Sequence, residues 1–303
     1  MEKEAVLYLI KLVIYWSKQF FTPVALGFIG YFFWESKDLF IEIFNNSNIY
    51  WLISSTLLWM LLHFSFPIFT RIILKSYELP LNYKELLWIH IKRLPAKYIP
   101  GGIWHAVARI SDYSQKGIKN YNIASYLVIE NISIATVTLI LGGSVVLSMI
   151  DQEKWQYIIF FLIVSCSLII ISLPLFLKIN IFSLRQPISK KYFYIGILYL
   201  FIYWIIVASS FVCFLKSFPN NVLSVSPITS GGIYIFSWGI GFISLFSPQG
   251  IGISEYISGQ LIESSLDKHT FIALLASFRI IIFIADASTW LLLKALKYAP
   301  WLK

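Results

Sequence analysis

The sequence predicts an all-α fold: a polytopic membrane helix bundle, one integral membrane domain over residues 1–303, with about eight transmembrane spans and broken or re-entrant segments. Three observations predict it. Apolar residues make up 58% of the chain and charged residues only 13%, with a mean hydropathy of +0.75; a soluble fold cannot hide that much apolar surface. Apolar runs of crossing length recur from end to end. The basic residues gather in alternate connectors, as positive-inside topology requires.

Taken in order, the runs cover residues 19–35, 49–74, 123–149, 156–178, 192–215, 229–247, 251–265 and 270–293. In the first, Lys18 and Pro23 interrupt a longer pattern that starts near Val6, so a span or an interfacial helix fits it. The seventh is short and carries Glu255 and Glu263; it is either a full span or half of a re-entrant hairpin. Met1-Glu2-Lys3-Glu4, followed by a mixed segment with Lys11 and Lys18, does not read as a secretory signal. No short-period repeat, low-complexity tract or soluble domain stands out.

Charge sets the expected orientation. Arg71, Lys75, Lys84, Lys92, Arg93, Lys97, Arg109, Lys116 and Lys119 crowd one connector. Lys178, Arg185, Lys190 and Lys191 fill another, and Lys294, Lys297 and Lys303 follow the last run. The intervening connectors hold only Lys37, Lys154, Lys216 and Lys268. The basic side, with both termini, is expected in the cytoplasm of a cell (inner or plasma) membrane. That needs an even number of crossings, which favours counting 251–265 as a span. The net charge of +9 is then a topology signal with attraction to anionic membrane lipids, and nucleic-acid binding is not expected.

The connector between the second and third runs is not loop-like. Residues 80–91 read as a helix with Leu86, Leu87 and Ile91 near one apolar face. Pro95 and Pro100 break it, and residues 103–110 read as a second short helix. Together they predict a hairpin dipping into the cytoplasmic half of the bilayer, with Gly101-Gly102 at its tip. A second break, Ser247-Pro248-Gln249-Gly250-Ile251-Gly252, lies near the other end. Irregular backbone at membrane depth persists only against protein or a wet cavity, so two such breaks mark a site that handles something polar.

The order of these elements resembles the flippase-like membrane domain of lysylphosphatidylglycerol synthases and its free-standing relatives. The resemblance rests on Leu94-Pro95, then Ile99-Pro100-Gly101-Gly102, Trp104 and Arg109. It continues with the turn Pro248, Gly250, Gly252, Glu255, and with Arg279 in the last run followed by Asp286. It covers residues 76–293 or so. The family's turn usually carries an Arg just before its Glu, where this chain has Ser254. The resemblance implies a membrane protein of cell-surface polysaccharide or glycolipid pathways, with glycan-assembly enzymes as possible partners.

The candidate substrate-binding residues are Arg279, Arg109, Lys97, His105, Trp104, Glu255, Gly250, Gly252, Asp286 and Glu130. A cation at mid-bilayer costs about 2.5 to 3.5 kcal/mol, so Arg279 needs a carboxylate partner, Glu255 or Asp286, or an anionic head group. The two roles are compatible if the Arg exchanges one for the other, and its fork of donors suits phosphate. Asp286, seven residues on, falls on much the same helix face. Glu255 follows the Gly250–Gly252 break at a helix start that attracts anions, or is the first-turn acid that complements the dipole. Glu130 either pairs with Arg109 or Lys97 or reaches towards the cytoplasm. His105 beside Trp104 is a titratable group near neutral pH or an ordinary interfacial residue.

Cys166 and Cys213 fall in apolar runs and read as small core residues. His63, His90, His105 and His269 show no metal-ligand spacing, and no metal or cofactor is expected. No Asp-Asp-x-x-Asp, Gly-x-Ser-x-Gly or His-Glu-x-x-His motif is present. Three functions follow: translocation of an anionic lipid or lipid-linked (polyprenyl) phosphate intermediate of surface-glycan assembly, an integral-membrane enzyme acting on such a lipid, or a non-transporting scaffold subunit.

Overall fold

A computed structural model describes residues 45, 47–75, 81–98, 104–150, 153–176, 189–219, 225–244, 250–262 and 265–298. The helices among them are α1 (Ile49–Lys75), α2 (Tyr83–Lys92), α3 (Trp104–Gln115), α4 (Asn120–Leu147), α5 (Glu153–Phe176), α6 (Lys190–Lys216), α7 (Pro227–Ile243), α8 (Ile253–Gln260) and α9 (Ser265–Tyr298), with a 3₁₀ turn at Leu94–Tyr98. No strand occurs among the described residues. The expected first run, 19–35, and the tips of both breaks, Gly101-Gly102 and Ser247 to Gln249, lie outside the described residues.

Among the described residues, five helices are long and apolar enough to cross a membrane: α1, α4, α5, α6 and the Lys268–Leu296 part of α9. The chain is a multi-pass membrane protein. α5 shows why: Phe160, Phe161, Leu168 and Ile171 are all exposed, a surface that suits hydrocarbon and not water.

Two expected spans come out shorter. The run at 229–247 is α7, 17 residues long, about 25 Å at 1.5 Å per residue. The run at 251–265 yields α8, eight residues long and about 12 Å, which cannot cross a hydrocarbon core of about 30 Å. The parity argument that counted 251–265 as a crossing is corrected by this helix. α8 folds back instead: Gly250 packs directly on Gly241, and α8 runs against α9, with Glu255 level with Arg279 and Gly259 level with Ile272. α7 and α8 therefore form a hairpin.

Side-chain contacts fix the sense of each helix. Ser55 Oγ donates to the Ser210 carbonyl at 2.8 Å, and the Tyr199 hydroxyl donates to the Ser65 carbonyl at 2.8 Å, so α1 and α6 are antiparallel. Trp59 meets Phe278 and His63 meets Asp286, so α9 runs with α1. Thr138 lies against Gly239 and Val145 against Gly232, so α4 and α7 are antiparallel, with glycines letting the two backbones close up. Thr70, near the end of α1, meets Tyr126, near the start of α4, as in a helix pair returning through the membrane.

One relationship was not legible as a repeat. The order long helix, broken pair, long helix occurs twice, as α1, α2–α3, α4 and as α6, α7–α8, α9. Because α6 opposes α1, and α9 runs with α1 while α4 returns against it, the two units point in opposite senses. The interior of the second unit is aromatic: Phe211 stacks on Tyr234 at 4.5 Å, and Phe278 meets Phe211, Phe214 and Tyr234 within 5.5 Å.

Candidate functional site

Three ion pairs lie inside the bundle, each joining a broken segment to a long helix. The first is Arg279 of α9 with Glu255 of α8. Arg279 Nε–H donates to Glu255 Oε1 at 2.8 Å and Nη2–H donates to Ser254 Oγ at 2.8 Å. The other carboxylate oxygen accepts from the Gly252 amide at 2.7 Å and from the Ser254 hydroxyl at 2.9 Å. Glu255 is thus the reach-back residue of a capping arrangement and Arg279's partner at once. Gly250 and Gly252 sit at φ +71° and +85°, the left-handed region where only glycine enters freely. A Cβ on Gly250 would also lie 2.9 Å from the Gly241 backbone. Ser254, standing where the resembled family carries Arg, binds Arg279.

The second is Arg109 of α3 with Glu130 of α4. The guanidinium takes the carboxylate in a two-pronged contact, 2.6 Å to Oε1 and 2.8 Å to Oε2. It also donates to the hydroxyls of Tyr126 at 2.7 Å and Tyr113 at 3.3 Å. Tyr126 in turn donates to Glu130 and meets Thr70 Oγ1 at 2.9 Å. Arg109 is 3% and Glu130 6% exposed, so Glu130 does not reach out to the cytoplasm. Phe66, Tyr113 and Tyr126 pack their rings within 6.0 Å of the guanidinium, a setting that favours a planar cation.

The third is Lys97 of the 3₁₀ turn with Asp286 of α9. Lys97 Nζ pairs with Asp286 Oδ2. Oδ1 meets His63 Nε2 at 2.5 Å and accepts from Trp59 Nε1 at 3.3 Å. His63 Nδ1 lies 3.4 Å from His90 Nε2 of α2. The sequence offered Lys97 as an alternative partner for Glu130; it goes to Asp286. Arg279's carboxylate is Glu255, one of the two candidates.

Each break docks on α9, seven residues apart, Glu255 at Arg279 and Lys97 at Asp286. Along α1 the levels are Trp59, facing Phe278 beside Arg279, then His63 facing Asp286, then Phe66 facing Arg109. The Lys97–Asp286 pair lies between the other two. In the two inverted units the charges are exchanged: Arg109 on the broken segment with Glu130 on the following helix, then Glu255 on the broken segment with Arg279 on the following helix.

Several buried polar atoms have no hydrogen-bond partner among the described residues: Tyr234 Oη, Ser230 Oγ and Ser237 Oγ on α7, Ser133 Oγ, Trp204 Nε1 and Arg109 Nε. Ser230, Tyr234 and Ser237 recur at four and three residues, on one face of α7.

Outside the spanning helices, α2 and α3 are tied together. Arg93 takes Asp112 at 2.5 and 2.6 Å, and Lys116 takes Glu85 at 2.7 Å. Burial raises the Asp112 carboxyl, but the Arg93 bond and charge, with Lys92, outweigh it and hold the group below the ordinary carboxylate value. Trp104 and His105 form the first turn of α3; their side chains lie outside the described residues. Sequence reasoning missed His63, Trp59, His90 and Tyr126. His63 carried a signal, an ionisable residue inside an apolar run; so did Tyr126, one helical turn before Glu130. No family model and no curated protein matches the chain.

Proposed function

We propose that the chain translocates an anionic lipid or lipid-linked phosphate across the membrane, as a free-standing relative of the flippase-like domain of lysylphosphatidylglycerol synthases. The observation that carries this reading is the pair of oppositely directed units, each with a broken segment that ends on a buried ion pair. Transporters place substrate between inverted repeats, at discontinuous helices, and alternate access by moving one unit against the other. Exchanged charges on the two pairs give each unit a latch of opposite polarity.

Arg279 is the central phosphate ligand in this reading. Its guanidinium is partly exposed, at 23%, and keeps Glu255 in the empty state. A lipid phosphate takes the place of the carboxylate, and Gly252 N–H and Ser254 Oγ–H continue to satisfy Glu255. The partnerless hydroxyls of α7 line the path for head-group oxygens. The basic α2–α3 connector gathers anionic lipid at the cytoplasmic face, where both termini also lie in this reading.

Reconstitution into liposomes with a labelled anionic lipid in one leaflet tests it. Protein-dependent movement of chemically unchanged lipid to the other leaflet is expected. An enzyme acting on such a lipid is the second reading, favoured by the Asp286-oriented imidazole of His63, the arrangement of a general base. Mass spectrometry of the recovered lipid separates the two: an altered head group supports the enzyme.

A further inference from the structure

We propose that translocation is coupled to a proton carried on Asp286, one proton moving with each anionic head-group charge; this rests on the translocation reading and specifies what drives it.

Among the described residues, six charged groups form the three pairs inside the bundle, and they balance: Arg279, Arg109 and Lys97 against Glu255, Glu130 and Asp286. An incoming phosphate adds one negative charge to a neutral core. Membrane interiors do not tolerate a net charge without a counter-charge, so a cation has to accompany it. Among the three acids, Asp286 is the one placed to supply a proton site. Glu130 is locked by a two-pronged Arg and a tyrosine, and Glu255 is held by a backbone amide. Asp286 alone is in direct contact with an imidazole, and its lysine sits on a five-residue 3₁₀ turn, not on a long helix. Movement of that turn, or arrival of a phosphate at Lys97, separates the lysine from the carboxylate. A buried carboxylate left without its cation takes up a proton.

Two histidines form the route. His63 Nε2 is 2.5 Å from Asp286 Oδ1, and His63 Nδ1 is 3.4 Å from Nε2 of the half-buried His90. A proton on His90 Nε2 passes to His63 Nδ1 as His63 Nε2 releases its own to Asp286, and neutralises the carboxylate. Lys97 meanwhile joins Arg279 as a second cation for the phosphate. On release of the lipid Lys97 returns, and Asp286 gives the proton up to water on the side where the lipid leaves. The titratable groups around Asp286 are Lys97 from the 3₁₀ turn, His63 from α1, His90 from α2 and, further off, Tyr203 from α6, whose ring meets Phe66 at 5.7 Å. Arg279 lies two turns earlier on α9. The imidazoles are the proton carriers.

The test uses the full chain in phosphatidylcholine liposomes. Fluorescent phosphatidylglycerol, whose phosphodiester keeps one charge across neutral pH, is the first probe; a short polyprenyl phosphate is the second arm. A pH-sensitive dye is trapped inside, and protein-free liposomes are the control. With a gradient of one pH unit, one-to-one coupling shifts the steady-state leaflet distribution about tenfold towards the alkaline side, with proton flux in step. Asp286→Asn should lose the shift and the proton flux in whatever lipid exchange it retains. His63→Gln should reach the same shift more slowly, and it remains informative if the Asn variant does not fold. Exchange in the wild type that ignores the gradient, or an Asp286→Asn variant that keeps the tenfold shift, overturns the coupling and leaves translocation standing. No exchange of either probe under any gradient overturns translocation, and the coupling with it.

Discussion

Arg279 Nε–H rests on Glu255 Oε1 at 2.8 Å while the other oxygen of the same carboxylate caps the start of α8 through the Gly252 amide at 2.7 Å. One acid thus serves the fold and the site, and the two roles separate by substitution. Glu255→Gln keeps an oxygen for the Gly252 amide but removes the charge. Leaving Arg279, whose side chain is only partly buried, without its anion is expected to destabilise the protein, seen as a lower melting temperature in detergent. Glu255→Gln with Arg279→Gln should recover part of the loss. A single variant as stable as the wild type would mean that Arg279 is held by other groups.

The second pair predicts a charge exchange. Arg109→Glu and Glu130→Arg should each destabilise by several kcal/mol, placing like charges together in a buried site. The double variant should regain more than half of the summed loss, because the mirrored arrangement of Glu255 on a broken segment and Arg279 on a long helix already exists in this fold. Tyr126→Phe, which removes contacts to Glu130, Arg109 and Thr70, should cost about 1–3 kcal/mol. A thermal-unfolding cycle measures all four; additive losses in the double variant would deny the coupling.

Gly250→Ala meets two obstacles, a φ of +71° and the Gly241 backbone 2.9 Å from the new Cβ. The backbone conformation alone costs about 1–2 kcal/mol. A clearly lowered melting temperature is expected, with little change for alanine at Gly117, also at positive φ but in open space, beyond that same backbone term. Equal effects at both positions would mean that the α7–α8 turn is not packed as described.

Topology is checked by thiol labelling of Ser47→Cys and Ser189→Cys in a background lacking Cys166 and Cys213. The antiparallel packing of α1 on α6 puts these positions at opposite ends of the bundle, so impermeant reagent should reach them from opposite sides. Labelling of both from one side would contradict the antiparallel crossing.

Asp112 gives a pH dependence with a defined sign. Its carboxyl titrates below the ordinary value of 3.8 when folded, so its contribution is present above that value and is lost as the pH falls through the lowered one. The α2–α3 tie should loosen below about pH 4, read as faster amide exchange in α3, and Asp112→Asn should remove that step. A step that persists in the variant belongs to another acid.

The spans were legible because apolar length is a local property: the expected 49–74 and 192–215 became α1 and α6 within a residue or two. Residues 251–265 misled, since composition alone does not tell a short crossing from a helix folded back on its neighbour; Gly241 against Gly250 decides that, and the contact joins positions on two elements. Arg279, Glu255, Arg109 and Glu130 stood out as charges in apolar runs, yet their pairing was open because it depends on how α8 and α3 return against α9 and α4. His63 was passed over by a search for metal spacing. The inverted order was invisible because it lies in helix direction and exchanged charges.

The most direct test of the central claim is lipid exchange by Arg279 variants, measured beside their thermal stability in detergent. Arg279→Lys keeps the charge and loses the guanidinium fork; it should slow exchange of labelled anionic lipid while the protein stays folded. Arg279→Ala should slow it further, in the fraction that remains folded. Full exchange by folded Arg279→Ala, or losses that only follow the loss of folded protein, would make Arg279 a structural residue and contradict translocation through this site.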